Sequence, residues 1–173
     1  MKTVSVFGLV VLFLTSCCQL KLEKEEAASA IRAEKNYPKV YEYEINMTDP
    51  ASARKLLDAG LEAEGLVTID KTQKLKDAGQ PIVHFTEKAN PYLIRMDEKY
   101  DNVQVVKVAD MDLAEVTGIQ LQEDNKSVTV EYTVAYKNIT PFAKLMKRDL
   151  SEKKTERASL SHFDTGWKLD KQR

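Results

Sequence analysis

The side chains best suited to acid–base or metal chemistry are few and widely spaced in this sequence. The two histidines, His84 and His162, each precede a phenylalanine inside a short apolar run. Neither belongs to a His-Glu-x-x-His motif or stands beside a pair of cysteines, so their spacing does not indicate a zinc site. Asp110 and Asp112, with Glu115 nearby, could bind a hard cation, but calcium takes about six to eight oxygen ligands. We therefore expect no metal site and place both histidines at the surface or the rim of the core.

Two short motifs match those of hydrolytic enzymes without the remainder of the machinery. Ser52 and Lys55, and again Ser151 and Lys154, have the Ser-x-x-Lys spacing of penicillin-interacting enzymes. Those enzymes also need Lys-Thr-Gly and Ser-Asp-Asn-like elements, which this sequence lacks. The Asp-Thr-Gly tripeptide at residues 164–166 matches retroviral-type aspartic proteases, in which two carboxylates share one proton. Because no coherent catalytic set is present, we expect no catalytic residues and no enzymatic activity.

Aromatic side chains give the clearest indication of a binding surface. Tyr41 and Tyr43 share one face of a predicted strand, while Tyr132, Tyr136 and Trp167 fall in strands of the second half. A concave sheet lined by tyrosines can hold a peptide, a glycan or a small apolar ligand. The alternative is that these side chains fill the core, since tyrosine is often partly buried.

The overall charge does not select a nucleic acid or an anionic surface. The chain has 26 basic and 27 acidic residues, so its formal charges nearly cancel. At 43% hydrophobic and 31% charged, the composition is that of a chain with a core and a solvated surface. No glycine-rich phosphate loop is present, and we expect no cofactor and no nucleic-acid partner.

Both cysteines, Cys17 and Cys18, stand together at the end of an apolar run. This run, from Val4 to Leu14, is shorter than the roughly 20 residues of a membrane-spanning helix. It has the length of the apolar core of a secretory signal, and Lys2 supplies the positive charge that precedes such a core. We therefore predict a signal peptide over residues 1–16.

The segment Leu14-Thr15-Ser16-Cys17 resembles the lipobox of bacterial lipoproteins. In that motif a leucine stands three residues before an obligatory cysteine, and small residues fill the two positions between. The resemblance implies that the Cys17 thiol receives a diacylglyceryl group and that the signal is cleaved before Cys17. It also implies that the new amine is acylated, commonly with palmitate. The alternative is an ordinary signal peptide and a free secreted product.

The resemblance places the chain in the bacterial cell envelope. Cys18 is then left without a partner in its own chain, since Cys17 is already a thioether. Because no acidic residue follows Cys17, the usual enterobacterial signal for retention in the inner membrane is missing. This favours the outer membrane, with the protein facing the periplasm, over the inner membrane.

The remaining chain divides into a charged segment and a folded domain. Residues 17–36 contain the lipid anchor and an Ala-rich, charged stretch that we interpret as a helical or flexible tether, with Ala27, Ala28 and Ile31 as a thin apolar stripe. Residues 37–173 form the domain, with a division into subdomains 37–100 and 101–173 as an alternative.

Periodicity within the domain predicts mainly strands. Residues 37–47 alternate as a half-buried strand. Thr48 or Asp49 can cap the helix predicted over 50–65, which has Leu56 and Leu57 on one apolar face. Two short strands follow, so Ala53–Leu93 resembles the end of a winged-helix domain in local shape. Val103–Leu113 has a phase slip typical of a β-bulge, and 114–137 reads as a hairpin. The ending, a strand followed by Thr-Gly-Trp-Lys-Leu-Asp, resembles small cystatin-like or NTF2-like sheets.

These patterns predict an α+β fold: a curved antiparallel sheet with a few helices packed on one side, preceded by the tether. We expect a non-enzymatic, lipid-anchored envelope protein that binds or scaffolds another envelope component. The alternative is an inhibitor, immunity or exclusion lipoprotein that acts on a foreign enzyme, toxin or phage.

Overall fold

The computed structural model describes residues 21–97, 99–123 and 126–170. The signal peptide, Cys17 and Cys18 lie outside these residues. Two α-helices are present in the described ranges, α1 (Lys24–Lys35) and α2 (Pro50–Asp58). The strands are β1 (Lys39–Asn46), β2 (Val67–Ile69), β3 (Val83–Phe85), β4 (Leu93–Met96), β5 (Val103–Leu121), β6 (Ser127–Lys137), β7 (Lys154–Phe163) and β8 (Gly166–Leu169). Short 3-10 helices cover Leu75–Asp77, Glu87–Tyr92 and Pro141–Leu145.

A curled antiparallel sheet dominates the fold, which is richer in strands than the α+β prediction implied. Its strands follow the order β1-β5-β6-β7-β8, and β4 pairs with β5 as well. The hairpin β2–β3 forms a separate two-stranded sheet. Strands from before and after residue 100 therefore share one sheet through β5.

The 19-residue strand β5 organises the whole molecule. Its first part pairs with β1 and β4, and its second part pairs with β6. The sequence predicted two strands here, and the prediction of a break near Leu113 was wrong. The predicted bulge is confirmed: Tyr41 pairs with Ala109 and Glu42 pairs with Lys107, so Val108 is the extra residue. The bulge leaves Val108 and Ala109 both fully buried.

Helix α1 covers the second half of β5 together with β6, β7 and β8, and these elements form the helix-covered region. Its core contains Ala27 and Ile31 from the helix and Leu22 from the segment before it. The thin apolar stripe predicted on this helix is real, but both of its deepest residues are wholly buried. Leu22 and helix α1 thus pack against the sheet, and the helix predicted for this stretch is present. The assignment of residues 17–36 as a tether stays a prediction.

A second group of elements packs against β1, β4 and the first half of β5. It comprises helix α2, the β2–β3 hairpin and the 3-10 helices at Glu87–Tyr92 and Pro141–Leu145. We call these elements the hairpin-covered region. Asp49 caps α2 as predicted, accepting hydrogen bonds from the backbone N–H groups of Ala51 and Ser52 at 3.0 and 3.2 Å. Leu56 is buried, whereas Leu57, predicted on the same apolar face, is 40% exposed. The helix–strand–strand order predicted for Ala53–Leu93 is confirmed.

The hairpin is joined to the main sheet at the end of β1. The backbone N–H groups of Ile82 and Val83 both donate to the carbonyl oxygen of Met47, at 2.8 and 3.1 Å. After β6 the chain returns to β5, where the Thr140 N–H donates to the Val108 carbonyl at 2.9 Å. Phe142 then inserts into the core of the hairpin-covered region and is fully buried.

Candidate ligand-binding site

The five aromatic residues predicted to bind a ligand lie in different parts of the core. Tyr132 is fully buried and Trp167 is 9% exposed, both in the core beneath α1. Tyr41, Tyr43 and Tyr136 are partly buried and pack against a small cluster around Val108, Ala109 and Leu150. The structure therefore does not bring all five together on one open face.

Tyr41 and Tyr136 do form a pair, and a cation covers it. Their ring centroids are 5.5 Å apart, and the Arg148 guanidinium lies 5.1 Å from the centroid of the Tyr136 ring. Arg148 also donates to the backbone carbonyl of Glu152 at 3.1 Å, which fixes the loop after the 3-10 helix at Pro141–Leu145. Burial raises the pKa of the Tyr136 hydroxyl, so the ring pair is a neutral, mostly apolar surface with Arg148 over it.

A polar network, only partly buried, joins the end of α1 to the sheet. The Tyr132 hydroxyl donates to Glu156 Oε2 at 2.9 Å, and Lys154 Nζ donates to Glu156 Oε1 at 2.8 Å. Lys35 Nζ, in the last turn of α1, lies 3.5 Å from Glu156 Oε2. Burial, together with Glu156, raises the pKa of Tyr132 and of Tyr37 far above the usual range, so both hydroxyls stay protonated as donors.

Glu156 remains ionised at the centre of this network. Burial acts to raise the pKa of Glu156, but the hydrogen bonds from Lys154 and Tyr132 and the nearby lysine charges outweigh it. The net effect is a pKa below the usual range. The carboxylate thus anchors the C-terminal end of α1 to β6 and β7.

A cavity lies beside this network, where β8 ends and leaves part of β7 without a neighbouring strand. Its volume is about 520 Å³, within the range of ordinary small-ligand sites. The lining comes from α1, β6, β7 and the end of β8, and it comprises Lys35, Thr129, Arg157, Ala158, Ser159, Leu169 and Asp170. We call this the edge cavity.

The edge cavity combines charges of both signs with hydroxyl and apolar groups. Its two cations are already engaged, because Lys35 faces Glu156 and Arg157 Nη2 lies 2.9 Å from Glu131 Oε2. Such a lining suits a polar, mixed-charge group such as a peptide segment better than a bare anion. No sequence pattern marks Arg157 as a cavity residue, because the cavity depends on where β8 ends.

The motifs with enzyme-like spacing have structural roles in the described residues. The Ser52 hydroxyl donates to Asp49 Oδ2 at 3.0 Å within the cap of α2, and the Ser151 N–H donates to Asp149 Oδ1 at 2.8 Å. The Asp-Thr-Gly tripeptide forms the turn between β7 and β8, where Gly166 has a φ of 100° that favours glycine.

The histidines and the acidic residues considered for metal binding are also accounted for. His84 Nε2 lies 3.1 Å from Asp70 Oδ2, and the His162 ring packs against Trp167 with centroids 5.1 Å apart. Asp110 accepts from Lys107 and from Asn138, each at 2.7 Å, and these hydrogen bonds hold the pKa of Asp110 below its usual range. Across the described ranges, no three His, Cys, Asp or Glu side chains are grouped to hold a metal.

Within residues 21–97, 99–123 and 126–170, no helix is both long and apolar enough to cross a membrane. Comparison of the chain with protein-family models, with curated proteins and with solved structures finds no match.

Proposed function

We propose that the protein is a lipid-anchored component of the bacterial cell envelope, attached through Cys17 to the outer membrane and facing the periplasm. Its folded domain binds or scaffolds another envelope component without catalysing a reaction. The observation that carries the proposal is the Leu14-Thr15-Ser16-Cys17 segment at the end of an apolar run of signal-peptide length.

The packing of α1 supports a membrane-proximal position for the domain. Leu22 is 6% exposed and belongs to the core, and it follows Cys17 by five residues. A chain of five residues spans at most about 18 Å when fully extended. A lipid on Cys17 would therefore hold the folded body close to the bilayer, where a partner must also be membrane-associated or reach the membrane surface.

Two or three acyl chains on one residue account for stable attachment. A single acyl chain gives only marginal, reversible binding, and stable anchoring takes two signals. The diacylglyceryl thioether and the acylated amine expected at Cys17 together exceed that requirement. The anchor then needs no membrane-spanning helix.

The test of the anchor is metabolic labelling with radioactive palmitate. The wild-type protein should be labelled and should stay in the membrane fraction after a high-salt wash. Cys17→Ser should lose the label and the attachment, whereas the adjacent Cys18→Ser is a matched control that keeps both. An unlabelled wild-type protein, or a Cys17→Ser variant that stays attached, would overturn the proposal.

The edge cavity is the proposed contact for the partner. Ser159 lines it from β7, and Ser161 lies two residues along the same strand outside its lining. Cross-linking and co-purification of the lipidated full chain should recover a partner that Ser159→Trp loses and Ser161→Trp retains. Recovery of a resident envelope protein supports scaffolding, while recovery of a foreign enzyme or phage protein supports the inhibitor alternative. Equal recovery by both variants would exclude the edge cavity as the contact.

A further inference from the structure

The loop between β2 and β3 presents the most exposed large apolar side chain of the described residues. Leu75 is 94% exposed, compared with 52% for Tyr100 and 51% for Phe163. An isolated exposed leucine needs no explanation by itself, since protein surfaces carry many apolar atoms. Leu75 differs from the other exposed apolar residues because charged side chains surround it.

Three lysines surround Leu75 in this loop, at positions 71, 74 and 76, and all are exposed. None of the three forms an ion pair with any residue that the structure describes. By contrast, Lys144 pairs with Glu64 and Lys154 pairs with Glu156, so each of these two lysines has a carboxylate partner within the chain. The loop lysines are therefore available to external anions.

The loop also carries two carboxylates, Asp70 and Asp77. Asp70 is held by His84 at 3.1 Å, and Asp77 is partly buried. Three lysines against two carboxylates leave a formal charge of +1, with the lysine ammonium groups more exposed than Asp77. A concavity of about 390 Å³ within the loop is lined by Asp70, Thr72, Gln73, Lys74, Lys76, Asp77, Gln80 and Pro81. This concavity is polar and large enough for a phosphate headgroup.

We propose that this loop contacts the anionic phospholipid surface of the membrane that holds the protein. Lys71, Lys74 and Lys76 meet headgroup phosphates, and Leu75 inserts among the adjoining acyl chains. A lysine near an anionic bilayer increases partitioning about fivefold. The inference rests on the proposed lipid anchor, which keeps the loop at a high local concentration of lipid.

The position of the loop determines how the protein must lie. The hairpin joins the sheet near Met47, beside the start of β5, whereas the first turns of α1 lie along Leu113–Val116. Ten residues of β5 separate Val103 from Leu113, which corresponds to about 33 Å of strand. With the anchor close to α1, contact by the loop places β5 lengthwise along the bilayer.

The test uses the lipidated full chain carrying Cys18→Ser, so that one introduced cysteine is the only free thiol. Leu75→Cys is labelled with an environment-sensitive fluorophore, and the protein is reconstituted into vesicles of phosphatidylcholine with or without phosphatidylglycerol. Phe163→Cys is the matched control, since Phe163 is exposed but flanked by His162 and Asp164 rather than by lysines. Flotation with phosphatidylcholine vesicles reports the anchor, and the emission wavelength reports the loop.

The expected result is a blue shift at position 75 in vesicles containing phosphatidylglycerol, with no shift at position 163. Adding Lys74→Gln and Lys76→Gln should abolish most of the shift, whereas Lys147→Gln with Lys153→Gln should not. If the protein floats with the vesicles but the fluorophore at position 75 keeps a solvent-like emission, the loop contact is wrong and the anchor stands. A blue shift that appears only when a membrane protein is added also contradicts the loop contact. If the protein does not float with the vesicles, the proposed lipid anchor is wrong, and the loop contact that rests on it is wrong as well.

Discussion

The helix-covered and hairpin-covered regions share β5 but are built in different ways. The first consists of long strands under one helix, with two register shifts between β5 and β6 and none between β6 and β7. A partly buried network of Tyr37, Tyr132 and Glu156 lies at its edge. The second consists of short segments, none longer than nine residues apart from β5, around an apolar cluster with Phe142 near its centre. One strand, β5, therefore contributes to two cores. One core is stabilised by helix packing with a polar network at its edge, and the other by an apolar cluster around Phe142.

Removal of the Phe142 side chain should have the largest effect on stability. Its ring centroid lies 6.2 Å from that of Phe85 and 6.0 Å from that of Tyr92, so Phe142→Ala leaves a cavity beside these two aromatic rings. We expect a loss of about 4 kcal/mol in the free energy of unfolding, measured by urea denaturation. Hydrogen exchange should show faster opening of the hairpin-covered region than of the helix-covered region.

The neighbouring Ile139→Ala is the control, because Ile139 is 45% exposed and should cost little. Equal acceleration of exchange in both regions would break the comparison and show one cooperative core.

Truncation of Ile31 tests the packing of α1 on the other region. Ile31 is fully buried, and Ile31→Ala should cost about 3 kcal/mol in the same measurement. Faster exchange is expected in β6 and β7, with the β2–β3 hairpin protected. Ile94→Ala is the control, since Ile94 is 39% exposed at the sheet edge. If both variants were equally mild, α1 would not belong to the core.

The smallest expected effect on the free energy of unfolding comes from removing the charge of Glu156. Its dependence on pH tests whether the polar network stabilises the helix-covered region. Glu156→Gln should cost about 1–2 kcal/mol near pH 7, because hydrogen bonds to the carboxylate are weakened. The pKa of Glu156 is lowered in the folded state from its usual 4.5, so its contribution is complete above that pH. The contribution is lost as the pH falls through the folded-state pKa.

The stability difference between wild type and Glu156→Gln should therefore shrink as the pH falls below about 4.5. The exposed Glu152→Gln should show no comparable trend. A difference that stayed constant across this range would contradict the role of the ionised carboxylate.

Local sequence patterns predicted the regular elements well. Val128, Val130, Tyr132, Val134 and Tyr136 alternate along the sequence, which predicts one apolar face of β6. The first four are at most 2% exposed, and Tyr136 is partly buried. The phase slip in β5 predicted its bulge, and Asp49 predicted the start of α2. These features depend on neighbours in sequence, which periodicity and capping rules describe directly.

The unpredicted features depend on distant partners. Asp110 and Asp112 were considered as cation ligands, but in β5 Asp110 meets Lys107 and Asn138, and Arg32 of α1 lies 3.6 Å from Asp112. The sequence shows only Ala27, Ala28 and Ile31 as an apolar stripe on α1, and the packing of this stripe depends on a sheet formed by distant residues. The edge cavity exists because β8 is shorter than β7, and no motif marks that difference.

The unbroken course of β5 limits how the protein can be divided. A fragment that retained either region would carry about half of this strand without its usual neighbours, exposing unpaired N–H and C=O groups to other chains. Such a fragment would self-associate rather than fold as a smaller unit. Truncation at the midpoint of the chain is therefore disfavoured, because either product would keep part of β5 without its neighbouring strands.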